Sequence, residues 1–238
     1  MPALLIFALF YGPFPQETDL DRILRISKQE RRTAKTEKEY SQSVQRGRKA
    51  LQDYIKEHPA ANDVAKATWF HAESFLYSKE YLAAIRAFDD FARTFPEEQK
   101  VSTAKFAAAE ICMRLEKDSE ARKRLLSWKK EYPDDPRAFQ VRIFLAAILI
   151  FEKKFSEAAN SLSALRLENK GTPQEWTTAM QLAACYHIAE QNGSAKNILK
   201  EIIADCPDKQ MQQTAQQYLR EYSRLNQPVP SQKETDKE

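Results

Sequence analysis

Glycine, cysteine and histidine are scarce in this chain of 238 residues, and each scarcity excludes a class of chemistry. Only four residues are glycine, and no two of them lie within twenty residues of each other. A glycine-rich phosphate loop, whether a P-loop or a G-x-G-x-x-G turn, is therefore excluded. The three cysteines, Cys112, Cys185 and Cys206, have spacings unlike those of zinc or redox motifs, and their odd number disfavours a disulfide framework.

The three histidines and the acidic residues form no evident catalytic set. His71 and Glu73 are two residues apart, so on a helix their side chains point to different faces. Neighbouring acids such as Asp134 and Asp135 diverge and suit a helix start. We therefore predict a protein that is not an enzyme, with no catalytic residue, metal site or cofactor. The alternative, a helical-repeat enzyme such as a cell-wall hydrolase or transferase, would need ionisable residues clustered on one face.

Charge is nearly balanced over the whole chain but not along it. The net charge is +3, which argues against a dedicated nucleic-acid-binding protein. Residues 22–57 hold eleven Lys or Arg and only five Asp or Glu. This stretch is either a solvated helix face or a weak contact with an anionic surface, such as lipid head groups or an acidic protein.

An apolar segment opens the chain. Residues 3–11 carry no charge and suit the apolar part of a secretory signal, although no basic residue precedes them and no A-x-A-like site follows. We predict that residues 1–18 are a signal-peptide-like segment of an exported, periplasmic protein. The alternative is an apolar segment packed on the fold of a cytoplasmic protein. Neither this run nor residues 143–151 reaches the ~20 residues of a transmembrane helix, so none is predicted.

Four prolines mark an internal repeat. Pro59, Pro96, Pro133 and Pro207 each follow an apolar or aromatic segment end, at intervals of 37, 37 and 74 residues. The missing member of the series falls at Lys170, where proline has been replaced. A fixed period of this length is typical of solenoid proteins.

The same period aligns small and large residues in columns. One small column is Ala72, Ala109, Ala146 and Ala183. The other is Ala84, Ala121, Ala158 and Ala195, and its place in the first segment is taken by Gly47. The large columns are Leu51, Phe88, Leu125, Leu162 and Leu199, and Tyr54, Phe91, Trp128, Leu165 and Ile202. Spacings of three and four residues place each set on one face of a helix. Each unit is therefore predicted to be two antiparallel helices with a turn near residues 78–80, 116–118, 153–154 or 191–193.

These units must stack, because no single unit can bury its apolar face. We predict an all-α fold, a right-handed α-solenoid of antiparallel helix pairs over residues 40–225, ending in a capping helix from residue 208. A charged helix or linker, residues 19–39, precedes the solenoid. A disordered polar tail, residues 226–238, follows it.

The column pattern resembles the tetratricopeptide repeat (TPR). Its first helices carry the motif Ala-x-aromatic-x-x-Ala-Glu twice, at Ala67–Glu73 and at Ala104–Glu110. This variant is similar to repeats of bacterial envelope proteins, such as the β-barrel-assembly lipoprotein and the Tol-Pal-associated cell-division coordinator. The resemblance implies a scaffold for protein–protein interaction in the bacterial envelope. The alternative is a cytoplasmic TPR adaptor or chaperone-like protein.

In this repeat family the first helices line a groove that takes an extended peptide or a partner protein. The resemblance implies these candidate partner-binding residues: Lys66, Trp69, Glu73, Tyr77, Phe106, Glu110, Arg114 and Phe151. Under the alternative interpretation, the aromatic column that includes Trp69 and Phe106 is core between neighbouring repeats.

Overall fold

The computed structural model describes residues 17–224, and over that range it contains helices and no strand. The prediction of an all-α fold is confirmed. The eleven helices within those residues are α1 (Asp19–Thr33), α2 (Glu37–Glu57), α3 (Val64–Tyr77), α4 (Tyr81–Thr94), α5 (Val101–Arg114), α6 (Asp118–Glu131), α7 (Ala138–Phe151), α8 (Phe155–Glu168), α9 (Pro173–Ile188), α10 (Asn192–Asp205) and α11 (Lys209–Arg224). Residues 1–16 of the signal-like segment and the whole polar tail lie outside the described residues.

The helices form two compact units, one ending at Trp128 and the other beginning at Lys129. In the first unit, α1 packs on α2, α2 on α3, α3 on α4 and α4 on α5. In the second unit, α7 packs on α8, α8 on α9, α9 on α10 and α10 on α11. Each of these helices thus packs on the next one along the chain, as helices joined by short turns do.

The two helices of each repeat are joined by a tight turn with one residue in the left-handed conformation. That residue is Lys79, Glu116, Lys153 or Glu190, with φ of 58°, 55°, 59° and 61°. These four positions are 37 residues apart, as the sequence period requires. The next amide closes the helix end by donating to a carbonyl five residues back, as Glu80 does to Phe75 at 2.9 Å. This hydrogen bond is that of a Schellman motif. The motif occurs in all four turns, although a non-glycine residue in the left-handed conformation costs about 1–2 kcal/mol.

One turn prediction is wrong. The turn predicted at residues 191–193 lies earlier in the chain: its left-handed residue is Glu190, and Gly193 lies in the first turn of α10. The physical reason is that the Schellman bond from Gln191 to Tyr186, at 2.8 Å, has already closed α9. Glycine at a helix start is tolerated and does not by itself mark the turn.

The prolines end the second helices as predicted. Helices α2, α4, α6 and α10 each stop two residues before a proline, because proline disfavours helical backbone at the residue before it. Helix α8 also stops two residues before the corresponding position, Lys170, which is not a proline. There the chain turns at Gly171, whose φ of +80° suits glycine.

The predicted columns form the core. All eight alanines of the two small columns are at most 3% exposed, so the helices of a pair approach closely along them. The large columns fill the space between packed helices: Phe88, Leu125 and Leu162 are buried, and so are Phe91, Trp128 and Ile202. Helix α11 covers one end of the second unit by burying Ala215 and Tyr222 against α10 residues. This is the contact expected of the predicted capping helix.

Helix α1 occupies most of the segment predicted as a charged helix or linker, and it is docked on α2. Thr18 caps its start by accepting a hydrogen bond from the Asp21 amide at 3.1 Å. Leu20 is fully buried in a cluster with Leu51 of α2 and Ala67 of α3. Two further apolar residues of α1, which are half-buried, pack against the same cluster.

The contact of α1 with α2 explains why glycine replaces alanine in the first segment. A Cβ atom on Gly47 would lie 2.7 Å from the Ser27 hydroxyl of α1 and 3.0 Å from its Cβ. Both residues are buried. The two helices therefore cross at Gly47 too closely for any larger residue.

Gly47→Ala is expected to destabilise the protein. Overpacking costs about 1–3 kcal/mol, which outweighs the roughly 1 kcal/mol by which alanine favours a helix over glycine. The control is Gly193→Ala, where the added Cβ meets nothing within 4 Å, and this variant should be neutral or stabilising. Urea unfolding measures both. Adding Ser27→Gly to Gly47→Ala should recover the loss beyond simple additivity, and purely additive effects would contradict the close approach.

Candidate functional site

The first unit contains an open cavity between α1, α2 and α3, with a volume of about 810 Å³. Its size falls within the range of about 300–1,000 Å³ typical of ligand sites. Five cationic residues line it, and no acidic residue does: Arg25, Lys28, Arg31, Arg32 and Arg48. Three aromatic rings complete the wall: Tyr40, Phe70 and Tyr77. Five of the eleven basic residues in positions 22–57 therefore line a concave surface.

Helix periodicity brings the α1 cations together. Arg25, Lys28 and Arg32 recur at spacings of three and four residues, so they share one side of α1. They also line a second, adjoining hollow along α1. Arg31 and Arg32 lie in the last turn of the helix, where cations interact favourably with the helix dipole.

These cations differ in how they are paired. Arg25 forms an exposed ion pair with Glu17, with 2.7 Å between Nε and Oε1. The Arg31 guanidinium stacks 4.6 Å from the centre of the Tyr77 ring. Within residues 17–224, neither Lys28 nor Arg32 forms a salt bridge. The cavity thus holds positive charge that the described part of the chain does not neutralise.

Arg48 is occupied by the fold. Its guanidinium donates to the Ser74 hydroxyl at 3.0 Å and to the Ser74 carbonyl at 3.1 Å. It also bonds the Ser78 hydroxyl and forms an ion pair with Glu80 at 2.8 Å. The same group lies 4.0 Å from the centre of the Phe75 ring. Arg48 therefore ties α2 to the end of α3 and sets the cavity's geometry, which makes it a positioning residue.

Tyr77 is the predicted groove residue that lines this cavity. It is the last residue of α3 and is 41% exposed. It shares a face of α3 with Phe70 and Ser74, which precede it at spacings of seven and three residues. Burial raises the pKa of the Tyr77 phenol, so at neutral pH it is an uncharged hydrogen-bond donor and acceptor.

Trp69 lies in the core and not at a groove surface, so its assignment as a partner-binding residue is corrected. It is 5% exposed. Its ring packs 5.4 Å from that of Phe88 and 5.5 Å from that of Phe91, both on α4. The physical reason is that one residue on a helix corresponds to a rotation of about 100°, so Trp69 faces α4 while Phe70 faces the cavity. Trp69 therefore fits the alternative interpretation, in which the aromatic column of the first helices belongs to the core.

Lys66 and Glu73, the other α3 candidates, are engaged in contacts within the unit. Lys66 binds Asp21 of α1 at 2.8 Å between Nζ and Oδ1. Glu73 is half-buried, and burial raises the pKa of its carboxyl, opposed by a hydrogen bond from Trp69 and by the charge of Lys100 and Arg31. Neither residue lines the cavity.

The remaining candidates are dispersed over α5 and α7. Phe106 is half-buried, with its ring 5.9 Å from that of Trp128. Glu110 is exposed, and Arg114 is exposed near the Tyr81 ring, 5.6 Å from its centre. Phe151, in the second unit, is 69% exposed at the end of α7. Their role in partner binding stays a prediction.

The cysteines and histidines serve the packing. All three cysteines are buried, and burial raises the pKa of the Cys112 and Cys185 thiols, which keeps them in the unreactive protonated form. Cys206 is the C-cap residue of α10 and lies just outside the helix. His187 stacks on Tyr222 with 3.6 Å between ring centres. Residues 17–224 contain no group of three potential metal ligands and no helix long and apolar enough to cross a membrane.

Solved structures share this fold over most of the chain. A Podosopora anserina protein, described as a putative kinesin light chain with nearly identical TPR-like repeats, has a TM-score of 0.59 at 14% identity, covering 83% of this chain and 98% of its own. YrrB, described as a TPR protein with an unusual peptide-binding site, has a TM-score of 0.53 at 15% identity, covering 83% and 99%. PilW, described as a type IV pilus biogenesis factor, has a TM-score of 0.53 at 16% identity, covering 87% and 91%.

These likenesses show that the chain has a TPR-like α-solenoid fold. At such low sequence identities, the similar structures are evidence for the fold alone, because one fold can serve many functions. The sequence matches no protein-family model and no curated protein. The resemblance to the repeats of envelope proteins therefore stays a prediction.

Arg48→Lys is expected to lower the free energy of unfolding by about 2 kcal/mol, because lysine cannot reproduce several charge-assisted hydrogen bonds at once. The matched control is Arg46→Lys on the same helix, which weakens only an exposed ion pair with Glu30 at 3.0 Å. That control should change stability by at most ~1 kcal/mol. Equal effects of the two substitutions in urea unfolding would contradict the positioning role of Arg48.

Proposed function

We propose that this protein is a non-enzymatic scaffold for protein–protein interaction, which binds a peptide segment of a partner on the exposed parts of its first helices. The observation that carries the proposal is the open cavity of the first unit, with a half-exposed tyrosine, Tyr77, at the end of α3. Aromatic side chains that are partly exposed beside a concavity are typical anchors for a bound chain.

The end of each first helix supports the proposal within each unit. Tyr77 and Arg114 end α3 and α5 in the first unit, and Phe151 and Ile188 end α7 and α9 in the second. All four are partly or fully exposed, while the aromatic residues of the large columns beside them are buried. Exposed large residues at one repeated position are more easily explained by a partner than by packing.

The contacts around the cavity favour binding over catalysis. Several of its ionisable groups are used in structural pairs and stacks, as Arg48 is with Glu80 and Arg31 is with Tyr77. The peptide-binding site named for YrrB is a precedent for peptide capture on this fold. The scaffold function therefore needs no group activated as an acid, base or nucleophile.

Alanine substitution of Tyr77 and Arg114 together should weaken peptide binding about tenfold, which corresponds to about 1.4 kcal/mol. The matched control is Leu82→Ala with Leu126→Ala, since both leucines are similarly exposed but lie on the second helices α4 and α6. Peptides selected on the wild-type protein from a displayed random library are titrated against both variants by fluorescence anisotropy. Unchanged affinity in the Tyr77/Arg114 variant, or equal loss in both variants, would exclude these residues as the binding face.

We place this scaffold in the bacterial envelope, with a cytoplasmic adaptor or chaperone-like role as the alternative. Support comes from the apolar residues 3–11 and from the resemblance of the repeat variant to envelope proteins. If the protein is exported, mass spectrometry of the native protein from fractionated cells should find it in the envelope, shortened by about 15–20 residues. An intact Met1 in the cytosolic fraction would favour the cytoplasmic role and leave the peptide-binding proposal standing.

A further inference from the structure

We infer that the basic cavity of α1, α2 and α3 binds an acidic peptide segment that also carries an aromatic or apolar anchor. This inference rests on the proposed scaffold function and names the chemistry of its partner. The occupant is thus one class of molecule, an anionic stretch of protein chain.

The distribution of charge in the cavity favours an acidic occupant. Three cations converge on the cavity from little more than one turn of α1: Lys28, Arg31 and Arg32. Like charges three or four residues apart on a helix destabilise it, so the arrangement is unfavourable unless an anion is present. No carboxylate lines the cavity, and Glu73, whose carboxyl feels the charge of Arg31, lies outside its lining.

Three acidic residues that lie near these cations in the sequence are already used in ion pairs. Asp21 is bonded to Lys66, and Glu30 is bonded to Arg46 on α2. Glu17 is held by Arg25 at the start of α1. Within the described residues, these carboxylates therefore bind cations other than Lys28 and Arg32, and the cavity keeps its positive charge.

The shape of the cavity and the residues that line it favour a peptide over a flat anionic surface. The cations stand beside a concavity whose wall includes the apolar side chains Leu24 and Phe70 and the half-exposed ring of Tyr77. A membrane surface could contact the exposed cations, but an extended chain fits a concavity better than a planar surface does. A peptide can place a carboxylate on the cations and an apolar side chain against the rings at the same time.

Lys28 and Arg32 are the residues on which a test should act. Both are exposed and bear no described structural contact, so their loss should leave the fold intact. Arg31 is less suited, because it also stacks on Tyr77. A control pair of cations away from the cavity occurs on α6 of the same unit: Arg122, which is half-buried, and Lys123, which is exposed.

The experiment measures binding of the full-length protein to a labelled peptide of repeated Glu-Glu-Phe triplets, with repeated Gln-Gln-Phe triplets as the uncharged probe. The acidic peptide should bind at least about tenfold more tightly. Lys28→Gln with Arg32→Gln should remove most of that difference, and Arg122→Gln with Lys123→Gln should change it less than about twofold. Affinity for the acidic peptide should also fall as salt rises.

Other outcomes separate this inference from the proposed function. Equal binding of both peptides would overturn the acidic specificity and leave peptide binding in place. The inference also fails if neither peptide binds while library-selected peptides do. Failure of every peptide, including the library, would overturn both proposals. Binding to phosphatidylglycerol vesicles that depends on Lys28 and Arg32, without peptide binding, would replace the acidic peptide by a lipid surface.

Discussion

Close packing of helices along buried alanines is the contact on which the rest of this structure depends. An isolated pair of 14-residue helices is too short to be stable in water, so each pair persists only by burying its apolar face. Alanine at the crossing points allows the helices to approach, and large residues one turn away fill the remaining space. The left-handed turn after each first helix returns the chain so that this contact recurs every 37 residues.

The first unit departs from this rule in one place, and the departure creates its cavity. Gly47 takes the alanine position, and the hydroxyl of Ser27 occupies the space that a Cβ would need. Helix α1 can then lie against α2 with Leu20 buried, and it brings its cations to the side of α3. Arg48 secures the other wall by binding the end of α3. A basic concavity thus follows from a close helix approach and one multiply bonded arginine.

Much of the fold could be predicted from the sequence because its causes are local and repeated. The alanine columns, the prolines after the second helices and the 37-residue spacing of the four turns follow the period. The fourth turn lies earlier than residues 191–193, because its closure at Glu190 is set by hydrogen bonding at the end of α9. The excess of basic residues in positions 22–57 could also be seen in the sequence. Which of them line a common surface could not.

The helix pairs, their period and the residues that form their core follow from local spacing, because spacing along a helix decides which side chains share a face. Which face meets which neighbour depends on the packing of whole helices against one another. Trp69 and Phe70 are adjacent, yet the first packs on α4 and the second lines the cavity, since the rotation of α3 is set by its contacts with two helices. The cavity joins residues from Leu24 to Tyr77, and such long-range proximity depends on how closely whole helices pack.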